Sequence, residues 1–143
     1  MLVASRALLG VAAVSLAPVL EHVTLTQFRA LVLLSGLGPT RIGALAQRLG
    51  VHQSTFTRTT DRMVEAGLVR RVDNPGNRRE VLVEATDAGL VHVREVTRRR
   101  RTEIEQILGR LDDADVDAVR RALETFARAA GEPSADALAA LGG

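Results

Sequence analysis

Cysteine is absent from this chain, and so are tryptophan, tyrosine and lysine. Without cysteine there is no disulfide, no thiolate metal site and no thiol-based redox sensing. With three Phe as the only large aromatics, any core must be aliphatic. With no Lys, all 19 basic residues are Arg, and the pI is near 10.7 although the formal net charge is only +2. Arg-only usage is also what a GC-rich genome produces. The three His, at 22, 52 and 92, are scattered, and none shares a convincing metal-ligand spacing with a carboxylate. There is no phosphate-binding Gly loop, no nucleophile elbow and no HExxH. The chain therefore reads as no enzyme, with no cofactor and no metal, because a catalytic constellation needs a nucleophile, a base or a metal brought together.

What is present is a soluble composition of one domain's length. Of the 143 residues, 46% are hydrophobic and 25% charged, which suffices for a core and argues against disorder. Charge is unevenly spread. From Arg41 to Arg79 there are eight Arg against three acids, a net of +5; from Leu111 onward there are three Arg against seven acids, a net of −4. A basic middle suggests a polyanion as partner. The opening "MLVASRALLGVAAVSLAPVL" has the one-Arg, apolar, small-residue pattern of a signal peptide. It also suits an apolar helix that buries itself against another chain. We favour the helix, without a membrane and in the cytoplasm, because the rest of the chain reads as an intracellular DNA-binding protein; the secreted reading is the minor alternative.

Helical periodicity places a first helix at residues 2–17, stopped by Pro18. Thr24 precedes "LTQFRALVLLSG", whose Leu25, Phe28, Leu31, Val32 and Leu34 form an apolar face that Gly36 and Gly38-Pro39 end. Thr40 can cap "RIGALAQRLG", with Ile42, Leu45, Ala46 and Leu49 on the helical period. In the next helix Phe56, Thr60, Met63 and Val64 make the buried stripe, and Gly67 stops it. The period then changes from 3.6 to 2: "LVRRV" and "EVLVEA" read as strands, with Val81 and Val83 alternating against Leu82 and Glu84, around the turn cluster "DNPGNRR". Thr86 and Asp87 open a long helix to about Leu111, and Asp112 or Asp113 caps a last one to about Ala130. "TRRRR" gives the long helix a dense positive block, most simply a solvated face that could pair with the acidic last helix. The stretch from Glu132 reads as frayed, although "ADALAALGG" could dock.

"ALAQRLGVHQSTFTRTTDRM" has helix-turn-helix spacing. Ala46 would sit where two helices cross closely, Gly50 would supply the positive φ of the turn, and Val51 and Phe56 would fill the core beneath. The second helix is crowded with hydroxyls, which are indifferent helix formers, but a major-groove reader needs short, polar, donor-rich side chains. Gln can pair with adenine, Arg with guanine, and a Thr methyl can meet a thymine methyl. The candidate recognition residues are Gln53, Ser54, Thr55, Thr57, Arg58 and Arg62. Asp61 would repel phosphates unless it bonds an Arg, either Arg62 or one from the hairpin. Arg78 and Arg79 at the hairpin tip can reach an adjacent minor groove. Thr40, His52 and Arg71 are further candidates, as phosphate contacts. A helix-turn-helix followed at once by a basic hairpin is a winged helix.

The chain at this point resembles the MarR-type (multiple antibiotic resistance) regulators. The carrying segments are "LTQFRALVLLS", "ALAQRLGVHQSTFTRTTDRMVEAGLVRR", "DNPGNRREVLVEATDAG" with its Thr-x-x-Gly helix opening, and the long helices afterwards. The resemblance implies a mainly α fold with a small β-hairpin wing, and a homodimer whose first and last two helices interdigitate with a partner. It implies that Ser54, Thr55, Thr57 and Arg58 face DNA and that Arg79 is the wing arginine. Such regulators usually carry Asp where this chain has Asn77, which can bond the turn backbone but cannot form the ion pair. Many bind a small aromatic or anionic effector in a crevice near the dimer helices; His22 and Arg29 are the candidates here. The expected organisation is a helical dimerisation region, residues 1–37 and 86–143, and a winged helix-turn-helix DNA lobe, residues 38–85. The function expected is a sequence-specific transcriptional regulator, a repressor, on a near-palindromic operator of double-stranded DNA. The alternatives are a winged-helix module for protein interaction or for non-specific DNA binding.

Overall fold

The computed structural model describes residues 1–130. The elements run α1 (Leu2–Leu16), a single 3-10 turn (Val19–Glu21), α2 (Leu25–Leu37), β1 (Thr40–Arg41), α3 (Ile42–Leu49), α4 (Gln53–Glu65), β2 (Val69–Asp73), β3 (Val81–Ala85), α5 (Asp87–Leu108) and α6 (Asp113–Ala129). The fold is mainly helical with one small antiparallel sheet of order β1-β3-β2. Among the described residues no helix is long and apolar enough to cross a membrane. The expectations for the stretch from Gly131 lie outside the described residues.

The described residues form two compact units, residues 18–95 and residues 1–17 with 96–130. In the first, Phe28, Leu31 and Leu34 of α2, Leu45 and Leu49 of α3, Phe56 and Met63 of α4, and Val69 and Val83 of the sheet are buried. They make a core that is mainly aliphatic, with Phe28 and Phe56 as its aromatics. α2 starts with a full capping box: Gln27 N–H donates to Thr24 Oγ1 at 3.2 Å, and Thr24 N–H donates to Gln27 Oε1 at 2.8 Å. The junction from β2 to α5 is held by Thr86. Its Oγ1 donates to the Gly67 carbonyl at 2.5 Å and accepts from Gly89 N–H at 3.1 Å, while its own N–H donates to the Leu68 carbonyl at 3.0 Å. Gly89 is needed for space. A Cβ there would stand 2.2 Å from the Leu68 carbonyl oxygen and 2.7 Å from Leu31 Cδ2.

In the other unit, Val11 and Ser15 are the buried residues of α1, and α6 buries none. Leu2, Leu9 and Val14 of α1 and Leu123 and Phe126 of α6 are exposed in the single chain. Asp112 caps α6, accepting from Asp115 N–H at 2.8 Å.

Several local expectations are corrected. Thr40 does not cap α3. It lies in β1, paired with Val83, and its hydroxyl donates to the Gly38 carbonyl at 3.0 Å. Arg41 occupies the cap position, and its side chain makes no capping bond. This third strand has two residues and was invisible to periodicity. Gly36 lies inside α2, and the positive φ that ends the helix is at Gly38. Val81 is 48% exposed while Val83 is buried, so the two do not share the inward face expected of them. α5 stops at Leu108, ahead of Gly109, rather than at Leu111.

Candidate nucleic-acid interface

The turn between α3 and α4 is closed by backbone. Gly50 takes φ 68°, and Val51 N–H donates to the Ala46 carbonyl at 3.0 Å. A side chain larger than a methyl at buried Ala46 would force the two helices apart. α4 then starts from His52, which is extended and makes no side-chain cap bond. Its inner face is Phe56, Thr60 and Met63, with Val64 half-buried. Buried Thr60 satisfies its hydroxyl by donating to the Phe56 carbonyl at 2.9 Å.

The outer face of α4 carries exposed Gln53, Ser54, Thr55, Arg58, Asp61 and Arg62, with Thr57 half-buried. The crowding of hydroxyls has a physical resolution. Thr57 donates to the Gln53 carbonyl at 2.8 Å and Thr59 to the Thr55 carbonyl at 3.3 Å. Such back-bonding makes threonine compatible with a helix, and it leaves Thr57 to present a methyl and lone pairs rather than a proton. Ser54 and Thr55 make no side-chain hydrogen bond among the described residues, so their hydroxyls remain able to donate. Asp61 bonds Arg71 of β2, a hairpin arginine as expected. Arg71, a candidate phosphate contact, is thereby paired within the protein.

The wing is β2 and β3 in register from Val69 opposite Ala85 to Asp73 opposite Val81, with a cross-strand Arg70–Glu84 ion pair at 2.5 Å. Its tip is ordered by two asparagines. Asn74 Oδ1 accepts from Gly76 N–H at 3.0 Å, and Asn77 Oδ1 accepts from Arg79 N–H at 3.1 Å. Asn77 thus holds the turn backbone, as an amide can without an ion pair. Arg78 and Arg79 project as exposed residues with no salt bridge among the described residues. A clamp that sequence reasoning missed fixes the base of the tip. Glu80 pairs with Arg41 of β1 at 2.8 Å and accepts from Asn74 Nδ2 at 2.9 Å. The only signal for it in the sequence was an acid immediately after two tip arginines.

The remaining candidates are dispersed. Thr40 turns its hydroxyl to its own loop, and His52 is exposed at the start of α4. His22 lies near His92, ring centroids 6.2 Å apart, although the two looked unrelated in sequence. Arg29 is exposed on α2 and shares no hydrogen bond or ion pair with His22. Among the described residues there is no group of three or more side chains able to hold a metal ion.

The geometry has counterparts. The MarR family profile matches residues 23–81, the span from the start of α2 to the wing. An HTH-type transcriptional regulator of Mycobacterium bovis is 31% identical over 102 residues, 71% of this chain and 71% of that one. Among solved structures, RV1404 from Mycobacterium tuberculosis superposes with a TM-score of 0.83 at 45% identity, covering 94% of this chain and 91% of that chain. A MarR family protein from Bacillus stearothermophilus superposes with a TM-score of 0.76 at 25% identity, covering 91% and 89%. A helix-turn-helix with an outward polar recognition helix, a basic wing joined to it in sequence, and these relatives lead to one assignment: the chain belongs to the MarR family of DNA-binding transcriptional regulators, which are not enzymes.

Proposed function

We propose that the protein is a cytoplasmic, homodimeric repressor. Its two winged lobes would read half-sites of a near-palindromic operator about one helical turn apart. The observation that carries this reading is the outer face of α4, where Gln53, Ser54, Thr55, Thr57, Arg58 and Arg62 lie beside a wing whose Arg78 and Arg79 have no acidic partner among the described residues. The dimer is supported by the exposed apolar residues of α1 and α6, above all Leu2, Leu9 and Phe126. Surface of that kind on helices that bury little of their own calls for a partner. In this reading residues 1–37 and 86–143 serve dimerisation and residues 38–85 serve DNA. A small aromatic or anionic ligand, held near His22 and Arg29, releases the operator.

The test is selection of a preferred duplex from a random-sequence library, followed by fluorescence anisotropy against a scrambled duplex at two salt concentrations. The expected outcome is a preferred near-palindrome, two chains per duplex, and affinity that falls steeply with salt because several phosphates are neutralised. A flat salt response, or one chain per duplex, refutes the reading. Failure to select any sequence turns the assignment towards non-specific coating of DNA or towards a protein partner.

A further inference from the structure

The recognition helix stops in a way that hands two carbonyls to another element. Ala66 caps α4, and Gly67 follows with φ 70°. Gly67 N–H donates to the Val64 carbonyl and Leu68 N–H to the Met63 carbonyl, both at 2.9 Å. This pair of bonds is the Schellman stop, and the apolar residues that accompany it, Met63 and Leu68, are buried. The Gly67 and Leu68 carbonyls then accept from Thr86, the residue before α5. Its hydroxyl donates to Gly67 at 2.5 Å and its N–H to Leu68 at 3.0 Å.

The same hydroxyl also accepts from Gly89 N–H at 3.1 Å, the bond by which a cap residue satisfies the first turn of its helix. One side-chain oxygen thus serves the stop of α4 and the start of α5. Capping needs only an acceptor. The donation to Gly67, nineteen residues earlier in the chain, is additional to it. There is little slack in the joint, since a Cβ on Gly89 would stand 3.1 Å from the Leu68 carbonyl carbon and nearer still to its oxygen. At its other end α4 is held by Val51 N–H, which donates to the Ala46 carbonyl at 3.0 Å. A helix fixed at its start and released at its end pivots, and the displacement grows from Gln53 towards Arg62.

We propose that Thr86 is a positioning residue for DNA recognition. Its hydroxyl ties the end of α4 to the start of α5, so that α5 sets the angle at which α4 is presented and a tilt of α5 passes to the reader. Base contacts are short and directional and are lost on a small displacement, whereas attraction to phosphates is not. The inference rests on α4 being the reader, as in the proposed function.

The experiment uses the full chain and three variants, Thr86→Ser, Thr86→Asp and Thr86→Val, on the duplex that the wild type selects from a random library and on a scrambled duplex. Ser keeps both bonds of the hydroxyl. Asp caps a helix as well as Thr does, but its carboxylate has no proton for the Gly67 carbonyl. Val keeps the volume and loses both bonds. The ratio of affinities, selected over scrambled, should be unchanged in the Ser variant. It should fall about tenfold in the Asp and Val variants, roughly the cost of one mismatched base pair. The added charge of Asp weakens both duplexes alike, so the ratio does not register it. The urea midpoint should fall further in the Val variant than in the Asp variant, which separates the tie from the cap. The proposal is overturned if the Asp variant or the Val variant keeps the wild-type ratio, for Thr86 is then a cap alone. It is overturned equally if the Ser variant loses the ratio as the Asp variant does, since the hydroxyl is then not the agent. A wild type that selects no duplex overturns the reading of α4 together with this one.

Discussion

Asp61 is a carboxylate on the outer face of α4, the face proposed to meet DNA, and its ion pair with Arg71 makes a sharp prediction about charge. The pair is a surface pair, with the Arg71 and Asp61 side chains 41% and 50% exposed. Its contribution to stability should therefore be under ~1 kcal/mol. Its effect on DNA is larger, because each partner cancels the other's field at the phosphates. Taking a phosphate about 7 Å from either group, one unbalanced charge is worth ~0.6 kcal/mol at the dielectric of water and ~2.4 kcal/mol at an effective value of 20. Salt screening with a Debye length of about 8 Å brings this to roughly a 1.5-fold to fivefold change in affinity. Asp61→Asn leaves Arg71 uncompensated, so it should bind DNA more tightly on every sequence, with a steeper salt dependence by about one unit of slope. Arg71→Ala leaves Asp61 uncompensated, and should bind more weakly with a shallower slope. The double variant should return near the wild type. Anisotropy over a salt series, with urea unfolding of the same four proteins, reads both quantities. If Asp61→Asn weakens binding, or if the double variant is as poor as Arg71→Ala, the pair is a strut between α4 and β2 and the charge argument fails.

Two other outcomes rest on particular contacts. Gly89→Ala would put a Cβ 2.2 Å from the Leu68 carbonyl oxygen, which also accepts the Thr86 N–H. Overpacking and the strained hydrogen bond together should cost about 2–4 kcal/mol, read as a lower urea midpoint at fixed protein concentration; an unchanged midpoint refutes the close approach. Arg58→Ala should cost about 1–3 kcal/mol on the selected duplex and relax preference at one base pair. Equal weakening on all duplexes would reassign Arg58 to phosphate.

Much of this architecture was legible because it is local. The Thr24 and Gln27 capping box, the positive φ of Gly50, the stripe of Phe56, Thr60 and Met63, and the Asp112 cap all depend on partners within about four to seven residues. Each leaves its mark in spacing and residue type. The winged helix was legible for the same reason: a helical period, a turn glycine, a second helical period, then a period of two. Errors fell where local signals were weak. Two-residue β1 has no period to detect, and Thr40, taken for a cap, was drawn into it by pairing with Val83.

The sequence by itself determined the helices and the two wing strands, most of the faces that turn inward, and that the exposed face of α4 is a polar, Arg-bearing surface beside a basic hairpin. Only the tertiary structure decided which charges are paired inside the protein and which are left without an acidic partner. Arg71 went to Asp61 and Arg41 to Glu80, while Arg78 and Arg79 found no acidic partner among the described residues. It also turned Gln53 back over Gly43 and brought the start of α5 onto the Leu68 carbonyl. These are contacts between long or mobile groups separated by ten to about forty residues. Nothing in the spacing of such residues encodes the contact, because the separation is closed by the packing of whole elements and not by the period of any one of them.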